Sequence, residues 1–581
     1  HVTFKMVDQI FFKFLAFMTL LGFYRQAKLL NADANSCLKR KPNIIFILTD
    51  DQDIEIGGTI PIVKTKQLIG DAGITFQNMF VDSPLCCPSR SSILTGRYIH
   101  NHNAVNNSIN GNCSSPAWQA GAEKKAFSVY LKEQQYTTFF AGKYLNQYGK
   151  KAAGGPAHVP PGWDWWNGLV GNSRYYNYKL SVNGTKENHK DDYKTDYLTD
   201  VIHRRGIEFL QLQNNDGTNA DAKPFFMMLS TPACHAPFTP APQYSGKFND
   251  TKAPRNGSFN VYGKDKHWLL RAAKHPLSKT SLEYIDGAYR NRWRTLLSVD
   301  DIVENVINVL KERKLLENTY IFFSSDNGFH LGQFSLPNDK RQMYDFDIRV
   351  PLYVRGPGIK PGQKKNQLIG NIDLAPTFIA LANGTVPSEM DGQSFVPLLD
   401  SSSSKWRNDF LIEHQGEYGG DSRCPDLKDD NVDNCYPDCV CEDAKNNTYT
   451  CVRTLSFNTN LVYCQFSDSE SFVEVYDLKK DPYQLNNLAK TIDPKLLAKQ
   501  NQRLIQLSVC QGDSCRTLEP DYGAEWLNQL KHDKHPHDIK HQYDDKHQND
   551  EKHQFDKHQY DDKQLEEYSW QKRLRQLLTE Y

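Results

Sequence analysis

The chain has 581 residues, 39% hydrophobic and 12% aromatic, so it can bury a sizeable core and is too long for one small domain. Its 69 basic and 69 acidic residues cancel to a net charge of 0. Bulk attraction to nucleic acid is therefore excluded, and any recognition of anions has to be local.

Lys5 and Lys13 border or interrupt an apolar run from Ile10 to Phe23, and Ala32-Asp33-Ala34 offers a small-x-small cleavage site. Residues 1–34 read as a secretory signal peptide, short for a membrane span, with an amphipathic helix as the bland alternative. No later segment approaches the length of a spanning helix, so no stable membrane span is expected. Acceptor sequons at Asn106, Asn112, Asn183, Asn249, Asn256, Asn383 and Asn446 add to the case for secretion by their number.

Next comes Asn43-Ile44-Ile45-Phe46-Ile47-Leu48-Thr49, a continuous apolar run ending in Asp50-Asp51. Such runs read as strands buried on both faces of a parallel sheet. Similar ones end at Gly142-Lys143, at Ser230 shortly before His235, and at Asp326-Asn327, and Val350 to Val354 forms another. Between them Leu296 to Leu316 carries apolar residues at helical spacing. Strands alternating with helices predict an α/β fold, a large mostly parallel mixed sheet flanked by helices, over residues 41–414. In such sheets ligands bind beyond the C-terminal strand ends, where these polar residues fall.

Asp50 and Asp51 are adjacent like charges, which repel unless a cation lies between them. Asp326 and Asn327 add a carboxylate and an amide oxygen, the donors a hard divalent ion takes. Each pair alone is also a common turn string. Within Ser83-Pro84-Leu85-Cys86-Cys87-Pro88-Ser89-Arg90, Cys86 stands four residues before Arg90. Cys86 reads either as a buried thiol or half of a disulfide, or as a reactive group beside a fixed cation. Arg90 suits a tetrahedral oxyanion through its forked donors. Lys143 and Lys340 are candidate clamps for a transferring anion. His235, in Thr231-Pro232-Ala233-Cys234-His235-Ala236-Pro237, is placed to give a proton to a leaving alcohol. His100, His102 and His330 lie near the same motifs and rank lower as pocket residues.

From about Gln415 the texture changes to Cys, Asn and Asp, with Cys424, Cys435, Cys439, Cys441, Cys451, Cys464, Cys510 and Cys515. A disulfide-stapled α+β subdomain over 415–520 is expected, its connectivity open; zinc is the rival reading of the cysteines. Phe472 to Leu478 alternates like an antiparallel strand. Residues 531–564 form a low-complexity tail rich in His, Lys, Asp and Gln, with His532, His535, His537, His541, His547, His553 and His558. It reads as a solvated, disordered tail, with metal binding or pH sensing as the alternatives. Leu565 to Tyr581 has the pattern of a short helix.

Cys86-x-Pro88-Ser89-Arg90 followed by Leu94-Thr95-Gly96-Arg97 resembles the signature of the type I sulfatases, a family within the alkaline phosphatase superfamily. Asp50, Asp51, Lys143 in Gly-Lys-Tyr, His235, Asp326-Asn327 and Lys340 match further positions, in order, over about residues 41–520. The resemblance implies that Cys86 is oxidised to formylglycine by a formylglycine-generating enzyme. It also implies that Ca²⁺ is bound by Asp50, Asp51, Cys86, Asp326 and Asn327. On this resemblance the hydrated aldehyde would attack sulfur, Arg90 would fix that side chain or the sulfate, Lys143 and Lys340 would clamp the sulfate, and His235 would protonate the leaving alcohol. Other segments, such as Cys435 to Ala444 and Cys510 to Thr517, are similar to the branch that removes 6-sulfate from N-acetylglucosamine. That branch implies a sulfated glycosaminoglycan substrate, heparan or keratan sulfate, and a lysosomal destination. An extracellular endosulfatase and a non-catalytic glycan-binding relative are the alternatives. Two departures stand out: Leu145 replaces a His that many members carry, and Cys234 replaces the branch's usual Pro.

Overall fold

The computed structural model describes residues 41–213, 222–255, 257–400, 405–417, 438 and 440–517. The signal segment 1–34, the tail 531–564, the segment 565–581, Asn256, Cys424, Cys435 and Cys439 lie outside the described residues.

Ten strands form the main sheet: β1 Asn43–Thr49, β2 Ile74–Phe80, β3 Thr137–Lys143, β4 Trp165–Leu169, β5 Lys179–Val182, β6 Thr185–Asn188, β7 Phe225–Ser230, β8 Thr319–Ser325, β9 Arg349–Arg355 and β10 Gln363–Gly370. Their order across the sheet is β10-β2-β9-β8-β1-β7-β3-β4-β5-β6. The run β8-β1-β7-β3-β4 is parallel, while β9 pairs antiparallel with both β2 and β8, and β5 and β6 pair antiparallel at the far edge. The expected mostly parallel mixed sheet is thus present.

The two-residue period of a strand explains why continuous apolar runs were needed. In β1, Ile44, Phe46 and Leu48 enter the core on one face, and Ile45 and Ile47 the core on the other. Helices cover both faces. On one lie α1, Cys86–Thr95, and α4, Leu374–Leu381, whose Phe378 packs on Phe46, Phe226 and Phe322. On the other lie α2, Leu198–Gln211, and α3, Lys279–Glu312. The α3 helix starts seventeen residues before the apolar pattern signalled it, because Ser278 caps it by accepting from the Ser281 amide.

A second, four-stranded antiparallel sheet holds β11 Asp409–His414, β12 Tyr449–Leu455, β13 Asn460–Phe466 and β14 Val473–Asp477, with α5, Pro494–Ser508, beside it. It begins at Asp409, earlier than the expected boundary at 415, since β11 pairs residue for residue with β12. Cys451–Cys464 and Cys510–Cys515 are disulfides, so these cysteines are staples and not zinc ligands. Among the described residues no helix is long and apolar enough to cross a membrane.

Candidate active site

Four parallel strands deliver the site residues at their C-terminal ends, where side chains leave the hydrogen-bonded ladder and face a common pocket. Asp50 and Asp51 follow β1, Lys143 ends β3, His235 follows β7, and Asp326 and Asn327 follow β8. Cys86 opens α1, and Arg90 lies one turn further on the same helix face. Gly96 closes α1 in the left-handed conformation (φ 67°).

The question of the paired cysteines is settled by connectivity. Cys87 is bonded to Cys113, which ties the start of α1 to the loop carrying Asn107, whose Oδ1 accepts from the Cys87 amide at 2.9 Å. Cys86 remains a buried thiol, 3.7 Å from Asp50 Oδ1 and 3.9 Å from Asp51 Oδ1. Among the described residues the other free cysteine is Cys234. Burial pushes the Cys86 thiol up to about 12, with Lys143 and Lys340 pulling the other way. An unmodified thiol here is a protonated, poor nucleophile.

Around it the charges pair closely. Lys143 Nζ donates to Asp50 Oδ2 at 2.7 Å, and Ser173 donates to the same oxygen. Lys340 Nζ donates to both oxygens of Asp51 at 2.7 Å. Arg90 donates through Nε to Asp326 Oδ2 at 2.7 Å and through Nη1 to Lys143 O and Ser230 Oγ, both at 2.8 Å. Burial works against the charge on Asp50, yet Lys143, His235 and Arg90 outweigh it and hold that carboxyl well below the usual range. Burial lifts Asp326 to about 7 against the pull of Arg90. His235 donates through Nδ1–H to Ala236 O at 2.7 Å and turns Nε2 toward Asp51 Oδ2 at 3.8 Å. Burial lowers its pKa, partly offset by Asp51.

Two buried polar atoms in this pocket have no hydrogen-bond partner. Asn327 donates through Nδ2 to Asp51 Oδ1 and Gly328 O, while its Oδ1 is unpaired; Arg90 Nη2 has no hydrogen-bond partner, its nearest carboxylate oxygen being Asp50 Oδ1 at 3.6 Å. An orphaned amide oxygen beside three carboxylates is a donor set for a hard cation, and an orphaned guanidinium NH₂ is a donor for an oxyanion. Metal-ligating atoms of Asp50, Asp51, Cys86 and His235 lie within 4.8 Å of one another. A divalent ion fits these residues.

Several contributors carry no signal in the sequence. Arg292, on α3, donates through Nη2 to Asp53 Oδ1 at 2.8 Å and to Asp51 O at 2.7 Å. It fixes Asp51 in the left-handed region (φ 62°), a conformation costing about 1–3 kcal/mol outside glycine. Ser173 likewise stands 123 residues from the carboxylate it serves. The lower-ranked histidines do not line the pocket: His102 sits on Ser92 Oγ, His100 on Glu413 and Cys510 O, and His330 between Asp347 and Glu442. Among the sequons, Asn183, Asn249 and Asn383 are exposed, Asn112 and Asn446 half-buried. Asn106 is buried, and its Oδ1 accepts from the Ser108 amide and hydroxyl.

The model of the sulfatase family matches residues 42–385. The chain belongs to the sulfatase family. This makes it a sulfuric ester hydrolase, and members of the family generally use a formylglycine and a divalent metal. This sulfatase is 54% identical over 491 residues to N-acetylglucosamine-6-sulfatase of Capra hircus, covering 83% of this chain and 87% of that one. The human enzyme of the same name is 53% identical, over 83% and 88%. An extracellular sulfatase homologue of Drosophila melanogaster is 42% identical over 67% of this chain but only 34% of its own. The fold is shared with a solved structure in complex with its substrate D-glucosamine-2-N,6-O-disulfate (TM-score 0.63, 24% identity, 85% of this chain and 99% of that one). It is also shared with a phosphonate monoester hydrolase from Silicibacter pomeroyi (TM-score 0.54, 18% identity, 80% and 93%), so the fold by itself leaves the ester open.

Proposed function

We propose that this sulfatase hydrolyses the 6-O-sulfate of N-acetylglucosamine units in glycosaminoglycans such as heparan and keratan sulfate. The observation that carries this reading is a free Cys86 at the mouth of α1, touching Asp50 and Asp51, in a chain more than half identical to enzymes named for that activity. Cys86 is matured to formylglycine by a formylglycine-generating enzyme, and Ca²⁺ is held by Asp50, Asp51, Asp326 and Asn327 together with residue 86. The secretory pathway and then the lysosome is the proposed route, with secretion as the alternative. The catalytic domain spans 41–414 in this reading, trimmed at its end by the start of the second sheet.

When in place, the metal and the modified residue 86 supply charge stabilisation on the sulfate and an oxygen nucleophile. The chain's own residues do the rest. Arg90 offers its unpaired Nη2 to a sulfate oxygen. Lys143 and Lys340 balance the charge that the transferring group spreads over its oxygens. His235, whose Nδ1–H donates to Ala236 O, turns Nε2 to the pocket, and its imidazolium form would give the Nε2 proton to the departing sugar oxygen. Full burial of Asp50, Asp51, Lys143 and Asn327 removes water that would screen these charges.

A desulfation assay on 6-sulfated N-acetylglucosamine tests the reading, at the non-reducing end and at internal positions, with and without chelator. Release from the terminal sugar, lost with chelator, is the expected result. Release from internal units would favour an endosulfatase. No release from protein whose Cys86 is converted would favour a glycan-binding role.

A further inference from the structure

Lys340 reaches Asp51 from an unusual piece of backbone. It lies between Asp339 and Arg341, and Arg341 has φ 91°, a region that a residue with a side chain rarely adopts. Such a conformation persists only where its surroundings over-determine it. Several of the residues that do so here come from far along the chain, past the end of the matched family region at 385.

Glu442 is the centre of that support. One oxygen lies 2.9 Å from His330 Nε2, and the other accepts from Gln342 Nε2 at 2.7 Å. His330 in turn pairs with the stretch before Lys340: its amide donates to Asp339 O at 2.9 Å, and its Nδ1 sits 3.0 Å from both oxygens of Asp347. Asp347 accepts from the Gln342 amide at 2.9 Å, which closes the ring. Arg341 O accepts from Asn447 Nδ2 at 3.1 Å and from Tyr449 OH at 3.0 Å. The backbone on both sides of Lys340 is thus gripped by residues 442–449, all four of His330, Asp347, Glu442 and Asn447 being buried. None of them touches the pocket carboxylates, so the grip acts through placement.

We propose that Glu442 is a positioning residue for the reaction: a carboxylate of the C-terminal segment that, through His330 and Gln342, fixes the backbone from which Lys340 reaches Asp51. The inference rests on the reading of Lys340 as a group of the active site. It makes the segment 442–449, beyond the matched family region, part of the catalytic apparatus.

The test is a double-mutant cycle on the full-length, matured enzyme with N-acetylglucosamine 6-sulfate as substrate. Glu442→Ala is expected to lower kcat about tenfold or more with KM changed by less than about twofold, since displaced groups cost turnover before binding. Glu442→Gln, which keeps an acceptor for His330, is expected to recover most of that loss. In a Lys340→Ala background, Glu442→Ala is expected to cost less than about twofold further, because coupled residues do not add. If Glu442→Ala does not fold, Tyr449→Phe decides in the same way, with a smaller loss of kcat that disappears in the Lys340→Ala background. Equal losses in both backgrounds would overturn this inference alone. Full activity of Lys340→Ala would overturn it together with the reading of the site.

Discussion

Two buried clusters of charge sit side by side in this molecule, and they are finished to different degrees. Around His330 both ring nitrogens meet carboxylates, and Gln342 closes the circle. Around Cys86, Asn327 Oδ1 and Arg90 Nη2 are left without partners although both residues are buried. Burying an unpaired polar atom costs about 1–3 kcal/mol, and binding of a ligand offsets that cost where metal-ligating side chains lie alongside, as they do around Cys86. The closed cluster builds a shape and the open one awaits a ligand.

The largest effect that separates the two is expected in the open cluster. Cys86→Ala should lower kcat by at least about a thousandfold, as loss of a nucleophile does, while leaving the thermal unfolding midpoint near that of the parent. A variant that keeps its rate would remove residue 86 from the chemistry. Next in size is Arg292→Ala, which strips the partner from buried Asp53 and from the carbonyl of Asp51. Denaturant unfolding should show a loss of about 3–5 kcal/mol, the usual result of leaving one buried charge alone. Asn327→Ala removes the unpaired oxygen itself. It should raise the metal concentration needed for half-maximal activity about 10–100-fold, with stability little changed, and an unaltered metal titration would exclude this oxygen as a ligand.

How much of this was legible in the sequence follows from the range of the forces. The central strands could be read because a strand buried on both faces must be apolar throughout, as Ile44 to Leu48 is, and its polar end then stands out. Asp50, Lys143 and Asp326 were found for that reason. Arg292 and Ser173 were not, since nothing local distinguishes an arginine on a long amphipathic helix or a serine in a loop. Their partners are more than a hundred residues away. Glu442 lay in a Cys- and Asp-rich stretch whose texture pointed to disulfides or zinc and gave no role to a single carboxylate. The second sheet's first strand was missed because Asp409 to His414 resembles the runs of the main sheet.

The smallest expected effect concerns pH and a third pair, outside both clusters. His100 is largely buried against Glu413, and although burial opposes its charge, Glu413 and Cys510 O raise its pKa to about 9. The folded value lies above the ordinary unfolded value near 6.5, so the pair's stabilisation is complete below about pH 6.5 and fades as pH rises through 9. The contribution is on the order of 1–3 kcal/mol. Unfolding free energies of the parent and of His100→Gln, compared at pH 6 and pH 9.5, should differ more at the lower pH. An equal difference at both would mean that the imidazole is neutral in the fold.

The central claim is that the open cluster is built around a modified residue 86. The mass of the peptide containing Cys86, taken from fully active enzyme, tests it most directly. Conversion of the thiol to formylglycine makes that peptide about 18 Da lighter than its unmodified form, and this is the predicted result. Active protein in which the peptide carries only an unmodified thiol, or a disulfide through Cys86, would contradict the account.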